Sequence, residues 1–272
     1  MGAMYSYLAF CPPSPPQYDV KTGVFYKRVP YAAGQKFMAL KVFAPVGSAT
    51  QLAHGSTTVA LVAHGNGDDL GTAALWLQEV SDRLGIIVVG WDYPGYGQST
   101  GETSEAGVYE TALLAYQHCK GDLRATDVLL IGKSLGTGAV MYLAQHEDVL
   151  ADKLVRGTVL LSPLASGVRT LSASRYMPRH LVEALDEKFM PVLKYAQRMQ
   201  APVTIVHGLD DKIIPVSNAY TLQRSVPTAF RTPMLELAFC GHNDMEAKEG
   251  TRLWGHVRAF QAEVLVEACD TE

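Results

Sequence analysis

The sequence predicts an α/β fold in which helices cover both faces of a mostly parallel central sheet. Short apolar runs of strand length alternate with longer segments in which apolar residues recur at helical spacing. Several of these runs end directly at glycine-rich loops, as strands do where an open α/β sheet carries its functional residues. The 272 residues are 48% hydrophobic, which is enough to bury a sizeable core.

Composition narrows the class of protein. The net charge of −4 gives no electrostatic reason to expect nucleic-acid binding. The four cysteines lack disulfide or zinc spacing, which is typical of a reducing compartment. No apolar stretch is long enough to cross a membrane, and the first ten residues lack the features of a secretion signal. We therefore expect a cytoplasmic monomer, at most attached to the cytosolic face of a membrane.

Residues 1–19 are predicted to form a tail, and residues 20–272 a single domain. The proline-rich stretch Cys11–Pro16 excludes both a helix and a central strand. Gly2, followed by Ser6, fits a myristoylation pattern, and Cys11 lies within reach of a second lipid. Since one acyl chain anchors a protein only marginally, firm attachment would need both. The alternative is that neither residue is modified.

In the first half, Val24–Pro30 and Lys36–Phe43 predict an antiparallel hairpin at the sheet edge, joined by a turn containing Gly34. Buried strands are predicted at Thr57–Ala63 and Ile86–Trp91. Later strands are predicted at Val128–Ile131, Gly157–Pro163, Pro202–Val206 and Met234–Phe239. Helical spacing or capping signals mark Leu70–Leu84, Ser104–Cys119 with Ser104 as N-cap, Leu135–Gln145, and Met245–Glu267 with an Asn243–Glu246 capping box.

The segment around Ser134 predicts a nucleophile. Four apolar residues of strand length run directly into the string G-K-S-L-G at 132–136, and a helix is predicted to follow. Glycine at the flanking positions lets strand and helix pass closely enough to leave the serine hydroxyl exposed on a strained turn. The G-x-S-x-G pattern is weak by itself in a chain with 24 glycines, so its partners matter.

An acid and a base follow the serine in chain order. The string H-G-L-D-D begins at His207, after a buried strand, and His242 lies on a glycine-flanked loop after the last strand. This order of serine, acid and histidine is typical of one hydrolase architecture. Of the two neighbouring carboxylates we predict Asp211 as the acid, and Asp210 at the surface or in a turn. The remaining histidines, including His207, lack such a setting.

Two backbone N–H groups are the predicted oxyanion donors. One belongs to Asn66, in the glycine loop after the first buried strand, and the other to Leu135, directly after the nucleophile. His64 begins the same glycine loop and is more typical of a residue that braces the turn than of a base. Asp92 is expected to tie down its own loop through backbone hydrogen bonds.

An apolar stripe lies between residues 164 and 200, where apolar residues recur every four positions: Met177, Leu181, Leu185, Phe189 and Leu193. This spacing predicts one amphipathic helix that Pro191 would interrupt. Two interpretations stay open. The stripe is ordinary core packing, or the segment is a short cap whose apolar side lines an acyl-chain groove, with the first four of these residues binding substrate.

Longer strings carry a family resemblance: H-G-N-G-D-D-L-G at 64–71, D-Y-P-G-Y-G-Q-S-T-G-E-T-S-E at 92–105, S-P-L-A-S-G at 162–167, G-H-N-D at 241–244 and the tail L-A-F-C-P-P at 8–13. With the elbow, acid and histidine, the chain resembles α/β-hydrolase-domain-containing serine hydrolases that remove palmitate from proteins. The resemblance implies the α/β-hydrolase fold, with Ser134 as nucleophile, Asp211 as acid and His242 as base. It also implies a long-chain thioester on a membrane-attached protein as substrate.

Two departures from those relatives stand out. Lys133 occupies a position where they tend to carry glutamine, and of their tail cysteines only Cys11 is present here. The triad cannot distinguish acyl acceptors, so an esterase or lipase acting on monoacylglycerol or lysophospholipid, or a serine peptidase, stays an alternative. A non-catalytic binding protein of the same fold would usually lack a triad member. We expect no metal and no organic cofactor, because protein groups supply the nucleophile, base and donors.

Overall fold

The computed structural model describes residues 10–18, 26–47, 57–170 and 177–266. The chain divides into two compact units, one ending at Val128 and the other beginning at Leu129. Gly2, a predicted lipidation site, and Cys269 lie outside the described residues.

The first unit contains the predicted edge hairpin and two buried strands. β1 (Lys27–Tyr31) pairs antiparallel with β2 (Lys36–Phe43), and β2 pairs antiparallel with β4 (Ile87–Trp91). β3 (Thr58–Ala63) runs parallel to β4, so the strand order in this unit is β1-β2-β4-β3. Every residue of β4 is buried, as expected for a strand covered on both faces of a parallel sheet.

The helices described in the first unit are α1 (Ala74–Leu84) and α2 (Glu105–Gly121). α2 begins as predicted, with the Ser104 hydroxyl accepting the N–H of Gly107 at 3.1 Å. α1 begins four residues later than predicted. The Asp69 carboxylate accepts the N–H groups of Gly71 and Thr72, and these bonds hold the segment before the helix in turns.

The second unit contains four strands in the order β5 (Asp127–Lys133), β6 (Val155–Leu161), β7 (Val203–Gly208) and β8 (Leu235–Leu237). β5 begins at the boundary between the units, and β6, β7 and β8 run parallel. The helices described in this unit are α3 (Gly136–Ala144), α4 (Glu147–Asp152), α5 (Gly167–Thr170), α6 (Arg179–Leu185), α7 (Val192–Ala196), α8 (Ser217–Ser225) and α9 (Met245–Val266). Among the residues described, no helix combines the length and the apolar character needed to cross a bilayer.

The amphipathic helix predicted between residues 164 and 200 is interrupted near Pro191, as predicted, but the α-helical part already ends at Leu185. α6 is followed by a short 3₁₀ turn at Asp186–Lys188, and α7 begins only at Val192. Pro191 explains the break, because its ring disfavours the helical conformation for the preceding Met190, which has φ +44°. Consequently the stripe does not share one face: Phe189 is 2% exposed and packs on Gly167, whereas Leu181 is 42% exposed.

Candidate active site

Ser134 lies on a sharp turn between β5 and α3. Its φ is +53°, in the left-handed region that a non-glycine residue rarely adopts. Its N–H donates to the carbonyl of Leu161 in β6 at 2.9 Å, which holds the turn against the neighbouring strand. A Cβ atom at Gly132 would lie 2.7 Å from the Cα of Thr137 and 2.8 Å from the carbonyl oxygen of Gly136. Only glycine therefore lets α3 pass this close to β5.

Asp211 lies on the loop after β7 and is 5% exposed. One carboxylate oxygen, Oδ1, accepts the N–H groups of Ile213 at 2.9 Å and Ile214 at 2.8 Å. Burial by itself would raise the pKa of this carboxyl. Hydrogen bonds from His207 and His242 outweigh that effect and hold the pKa well below its usual range. Asp211 is therefore ionised at neutral pH.

His242 lies on the loop after β8, which is joined to the acid loop through the backbone. The Asp210 N–H donates to the Cys240 carbonyl at 2.9 Å. A Cβ atom at Gly208 would clash with that same carbonyl, so the end of β7 can approach the loop only as glycine. The Asp244 carboxylate accepts the N–H of Gly241 at 2.6 Å and closes the turn that presents His242.

The structure brings the three predicted side chains together within the second unit. His242 Nδ1 is 2.6 Å from Asp211 Oδ2, and His242 Nε2 is 2.8 Å from Ser134 Oγ. Since the ionised carboxylate can only accept, Nδ1 carries the proton and Nε2 is left to accept the serine O–H. The neighbouring carboxylate of Asp210 is exposed, in agreement with the choice of Asp211.

The predicted oxyanion residues belong to different units. Leu135 precedes the first residue of α3 in the second unit. Asn66, in the first unit, has a side-chain oxygen that accepts the Cys11 N–H at 2.9 Å and the Tyr96 hydroxyl at 2.6 Å. The exposed Cys11 thus lies against the glycine loop that follows β3.

His64 braces this loop, as predicted, whereas the Asp92 carboxylate bonds to segments other than its own loop. The His64 ring is 1% exposed, and Nδ1 lies 2.8 Å from the Gly65 carbonyl. The Asp92 carboxylate accepts the Leu70 N–H at 2.8 Å and the Tyr18 hydroxyl, and lies 3.3 Å from His64 Nε2. Asp92 therefore joins three segments of the first unit. Burial lowers the pKa of His64, but its hydrogen bond to Asp92 raises the net value.

Lys133, next to Ser134 in the chain, forms an ion pair with Glu246. Its Nζ lies 2.8 Å from a carboxylate oxygen of Glu246, with side-chain exposures of 17% and 14%. The predicted Asn243–Glu246 capping box is wrong. The Glu246 carboxylate pairs with Lys133, and α9 begins at Met245, so Asp244 rather than Asn243 precedes the helix. The pair connects the turn at Ser134 to the helix that follows the His242 loop.

An open depression of about 520 Å³ borders His242. Apolar side chains of Ile213 and Phe239 line it together with charged residues, namely Asp210, Lys212 and Asp244 of the two loops and Lys248 of α9. The four stripe residues predicted to bind substrate, Met177, Leu181, Leu185 and Phe189, are not in this lining. Among the described residues, no three His, Cys, Asp or Glu side chains cluster closely enough to hold a metal ion.

His207 is a residue of the site that the sequence analysis set aside. Its ring is fully buried, and Nε2 lies 3.3 Å from Asp211 Oδ2. The only signal in the sequence was its place four residues before the acid, in the string H-G-L-D-D. That spacing does not reveal that the loop folds back over the imidazole.

Curated relatives with similar sequences carry one family description. Alpha/beta hydrolase domain-containing protein aho-3 of Caenorhabditis elegans is 32% identical over 188 residues, covering 68% of this chain and 52% of the relative. Alpha/beta hydrolase domain-containing protein 17C of Xenopus tropicalis is 29% identical over 194 residues, covering 71% and 58%. The chain thus spans between half and three fifths of these relatives' length. No protein-family model matches it.

Solved structures share the fold at low sequence identity. Alpha/beta hydrolase domain-containing protein 10 from mouse superimposes with a TM-score of 0.65 at 15% identity, covering 89% of this chain and all of that one. A monoacylglycerol lipase from Paleococcus ferrophilus superimposes with a TM-score of 0.60 at 20% identity, covering 84% and 99%. The predicted α/β-hydrolase fold is confirmed. In sequence, the chain is similar to curated α/β-hydrolase-domain-containing proteins.

Proposed function

We propose that this protein is a serine hydrolase that cleaves acyl thioesters through an acyl-enzyme on Ser134. The observation that supports the proposal most strongly is the relay from Ser134 Oγ to His242 Nε2 at 2.8 Å and from His242 Nδ1 to Asp211 at 2.6 Å. A serine hydroxyl is a weak nucleophile until an adjacent base takes its proton. Here the base is oriented, and its cationic form is stabilised, by an ionised carboxylate.

The reaction follows from these roles. As Ser134 Oγ attacks the thioester carbonyl carbon, its proton passes to His242 Nε2. The tetrahedral intermediate then collapses, the carbon–sulfur bond breaks, and the imidazolium returns the proton to the leaving thiolate. Water next attacks the acyl-serine ester and gives a proton to His242. Cleavage of the ester bond releases the fatty acid, and Oγ recovers its proton.

The backbone N–H groups of Asn66 and Leu135 are the proposed donors to the tetrahedral oxyanion. The Leu135 N–H lies at the start of α3, where the helix dipole also favours negative charge. By analogy with other oxyanion holes, each donor would stabilise the transition state by about 3 kcal/mol.

The proposed substrate is a long-chain acyl group, palmitate in particular, on a cysteine of a membrane-attached protein. The support for it is the resemblance of five strings in this chain to those of palmitate-removing hydrolases. Such a substrate would require the protein to work at the cytosolic face of a membrane. Hydrolysis of monoacylglycerol is the second candidate, since the fold neighbour from Paleococcus ferrophilus is a lipase for that ester.

A fluorophosphonate probe tests the nucleophile. The wild-type protein should be labelled, whereas Ser134→Ala should not, and Ser217→Ala, which removes an exposed hydroxyl at the start of α8, should be labelled like the wild type. Equal labelling of Ser134→Ala and wild type would refute the assignment of Ser134.

The acyl acceptor is tested by comparing substrates under identical detergent conditions. Suitable substrates are a peptide palmitoylated on cysteine, the same peptide palmitoylated on serine, and a monoacylglycerol. The proposal expects the highest kcat/KM for the thioester peptide. A large preference for the glyceride would instead identify a lipase.

A further inference from the structure

His207 is the penultimate residue of β7, with a fully buried side chain, four residues before Asp211. Its Nε2 lies 2.8 Å from the Ile214 carbonyl oxygen and 3.3 Å from Asp211 Oδ2. A carbonyl oxygen and an ionised carboxylate can only accept hydrogen bonds, so Nε2 must carry the proton. One N–H of His207 therefore faces the acid and the residue that closes the acid loop.

The other ring nitrogen shows that the imidazole is not there for packing alone. His207 Nδ1 is buried and has no hydrogen-bond partner among the described residues. Leaving a buried polar atom without a partner costs free energy, which an apolar side chain of similar size would avoid. The contacts of Nε2 with the Ile214 carbonyl and with Asp211 compensate for this cost.

Apart from the contact with His207, the two carboxylate oxygens of Asp211 have different partners. Oδ1 is held by the backbone N–H groups of Ile213 and Ile214, which cannot move far from it. Oδ2 faces His242, the ring that must accept and release a proton in every proposed cycle. The Nε2–H of His207 is a second donor on the side of Oδ2, and it also ties down the Ile214 carbonyl.

We propose that His207 is a positioning residue for the acid: its Nε2–H holds the loop 211–214 and keeps Asp211 Oδ2 directed at His242. This inference deepens the proposed function and rests on it. His207 contacts no reacting atom, and its effect reaches the reaction through Asp211 alone.

The test compares His207→Leu, which removes the donor, with His207→Gln, whose amide nitrogen reaches about as far as Nε2. We expect His207→Leu to lower kcat on a chromogenic ester about tenfold to a hundredfold, the range for one hydrogen bond to a charged group, with KM changed by less than about threefold. His207→Gln should recover most of kcat. If His207→Leu does not fold, His207→Asn replaces it, because the shorter amide cannot reach Ile214 or Asp211.

The low-field NMR resonance of the His242 Nδ1–H bonded to Asp211 is the readout that packing alone would not change. It should be lost or shifted upfield in His207→Leu and restored in His207→Gln. His256→Leu is the control, because it removes a half-buried imidazole whose Nε2 lies 2.7 Å from the Thr204 hydroxyl, away from Asp211 in the sequence. It should leave both kcat and the resonance unchanged.

Two results would overturn the inference. One is wild-type kcat with an unchanged resonance in His207→Leu. The other is an equal loss of kcat in His207→Leu and His207→Gln with the resonance intact in both, which would indicate packing. The resonance is measured without substrate, so this comparison remains decisive even if Ser134→Ala shows that the proposed reaction is wrong.

Discussion

Replacing Asp211 with asparagine should disable the predicted relay while keeping the size of the side chain. The carboxylate accepts on both oxygens: Oδ1 takes the N–H groups of Ile213 and Ile214, and Oδ2 faces the ring N–H groups of His242 and His207. An asparagine has one oxygen to accept and one NH₂ group that can only donate. One of the two sides must therefore lose its acceptor.

The orientation that keeps the amide oxygen on the backbone side is favoured. The reverse orientation would leave two buried backbone N–H groups facing another donor, at about 1–3 kcal/mol for each. In the favoured orientation the NH₂ group faces His242, which must then present an unprotonated Nδ1. The neutral imidazole consequently carries its proton on Nε2, which faces Ser134 and can no longer accept the serine proton.

The expected loss in kcat is about 10⁴-fold, as for the wrong histidine tautomer in a serine protease triad, or about 5.5 kcal/mol in the barrier. The assay is steady-state hydrolysis of a p-nitrophenyl ester, with the rate of fluorophosphonate labelling as a second measure. Asp210→Asn is the matched control, because that neighbouring carboxylate is exposed, and it should change kcat/KM by less than about twofold. If Asp211→Asn kept kcat within about tenfold of wild type, the tautomer argument would fail.

The same variant should change the pH dependence of stability. The pKa of Asp211 is lower in the folded than in the unfolded protein, so its ionised form stabilises the fold. This contribution is fully present above the unfolded pKa of about 4 and is lost as the pH falls toward the folded pKa. In urea unfolding, wild-type stability should therefore fall more steeply than that of Asp211→Asn below about pH 4. Parallel curves would contradict the shift.

Four further substitutions test contacts around the site and the fold. Lys133→Gln and Glu246→Gln should each destabilise by about 3 kcal/mol, because each removes one side of a largely buried ion pair. The double variant should cost less than the sum in urea unfolding. Strict additivity would argue against a coupled pair. Gly132→Ala should lower the free energy of unfolding by about 1–3 kcal/mol, the usual range for overpacking, because the new methyl group meets backbone atoms of α3. It should also abolish fluorophosphonate labelling. Normal labelling would show that the turn at Ser134 can adjust to the methyl group. Ser104→Ala should lower the thermal stability by about 1 kcal/mol through loss of the α2 cap and leave kcat unchanged, and an unchanged midpoint would contradict the capping role.

Elements set by near neighbours in the chain could be predicted from the sequence. The Ser104 cap depends on an N–H three residues away, and the hairpin of β1 and β2 depends on one short turn. The strand-turn-helix at Ser134 could also be predicted, because the clash that Gly132 avoids is with residues only four and five positions further on. The chain order of serine, acid and histidine, together with the position of each after a strand, was enough to choose Asp211 over Asp210.

Tertiary structure decided the contacts between residues far apart in the chain. Lys133 and Glu246 are 113 residues apart in the chain, and they form an ion pair in place of the capping box predicted for Glu246. Asp92 joins Tyr18, His64 and Leu70 instead of its own loop. No periodicity reveals which distant charge or hydrogen-bond donor will face a buried side chain. That choice depends on the packing that removes water from both partners.

The apolar stripe between residues 164 and 200 also shows which features depend on local sequence and which on tertiary packing. The spacing of Met177, Leu181, Leu185 and Phe189 is helical, but Pro191 ends the pattern and Phe189 turns into the core against Gly167. By itself the sequence determined the strands, the elbow and the identity of three side chains, since these follow from short-range sterics and apolar patterning. Only the tertiary structure decided that the three side chains meet and that His207 lies behind the acid, because these contacts depend on how separate loops close over one another.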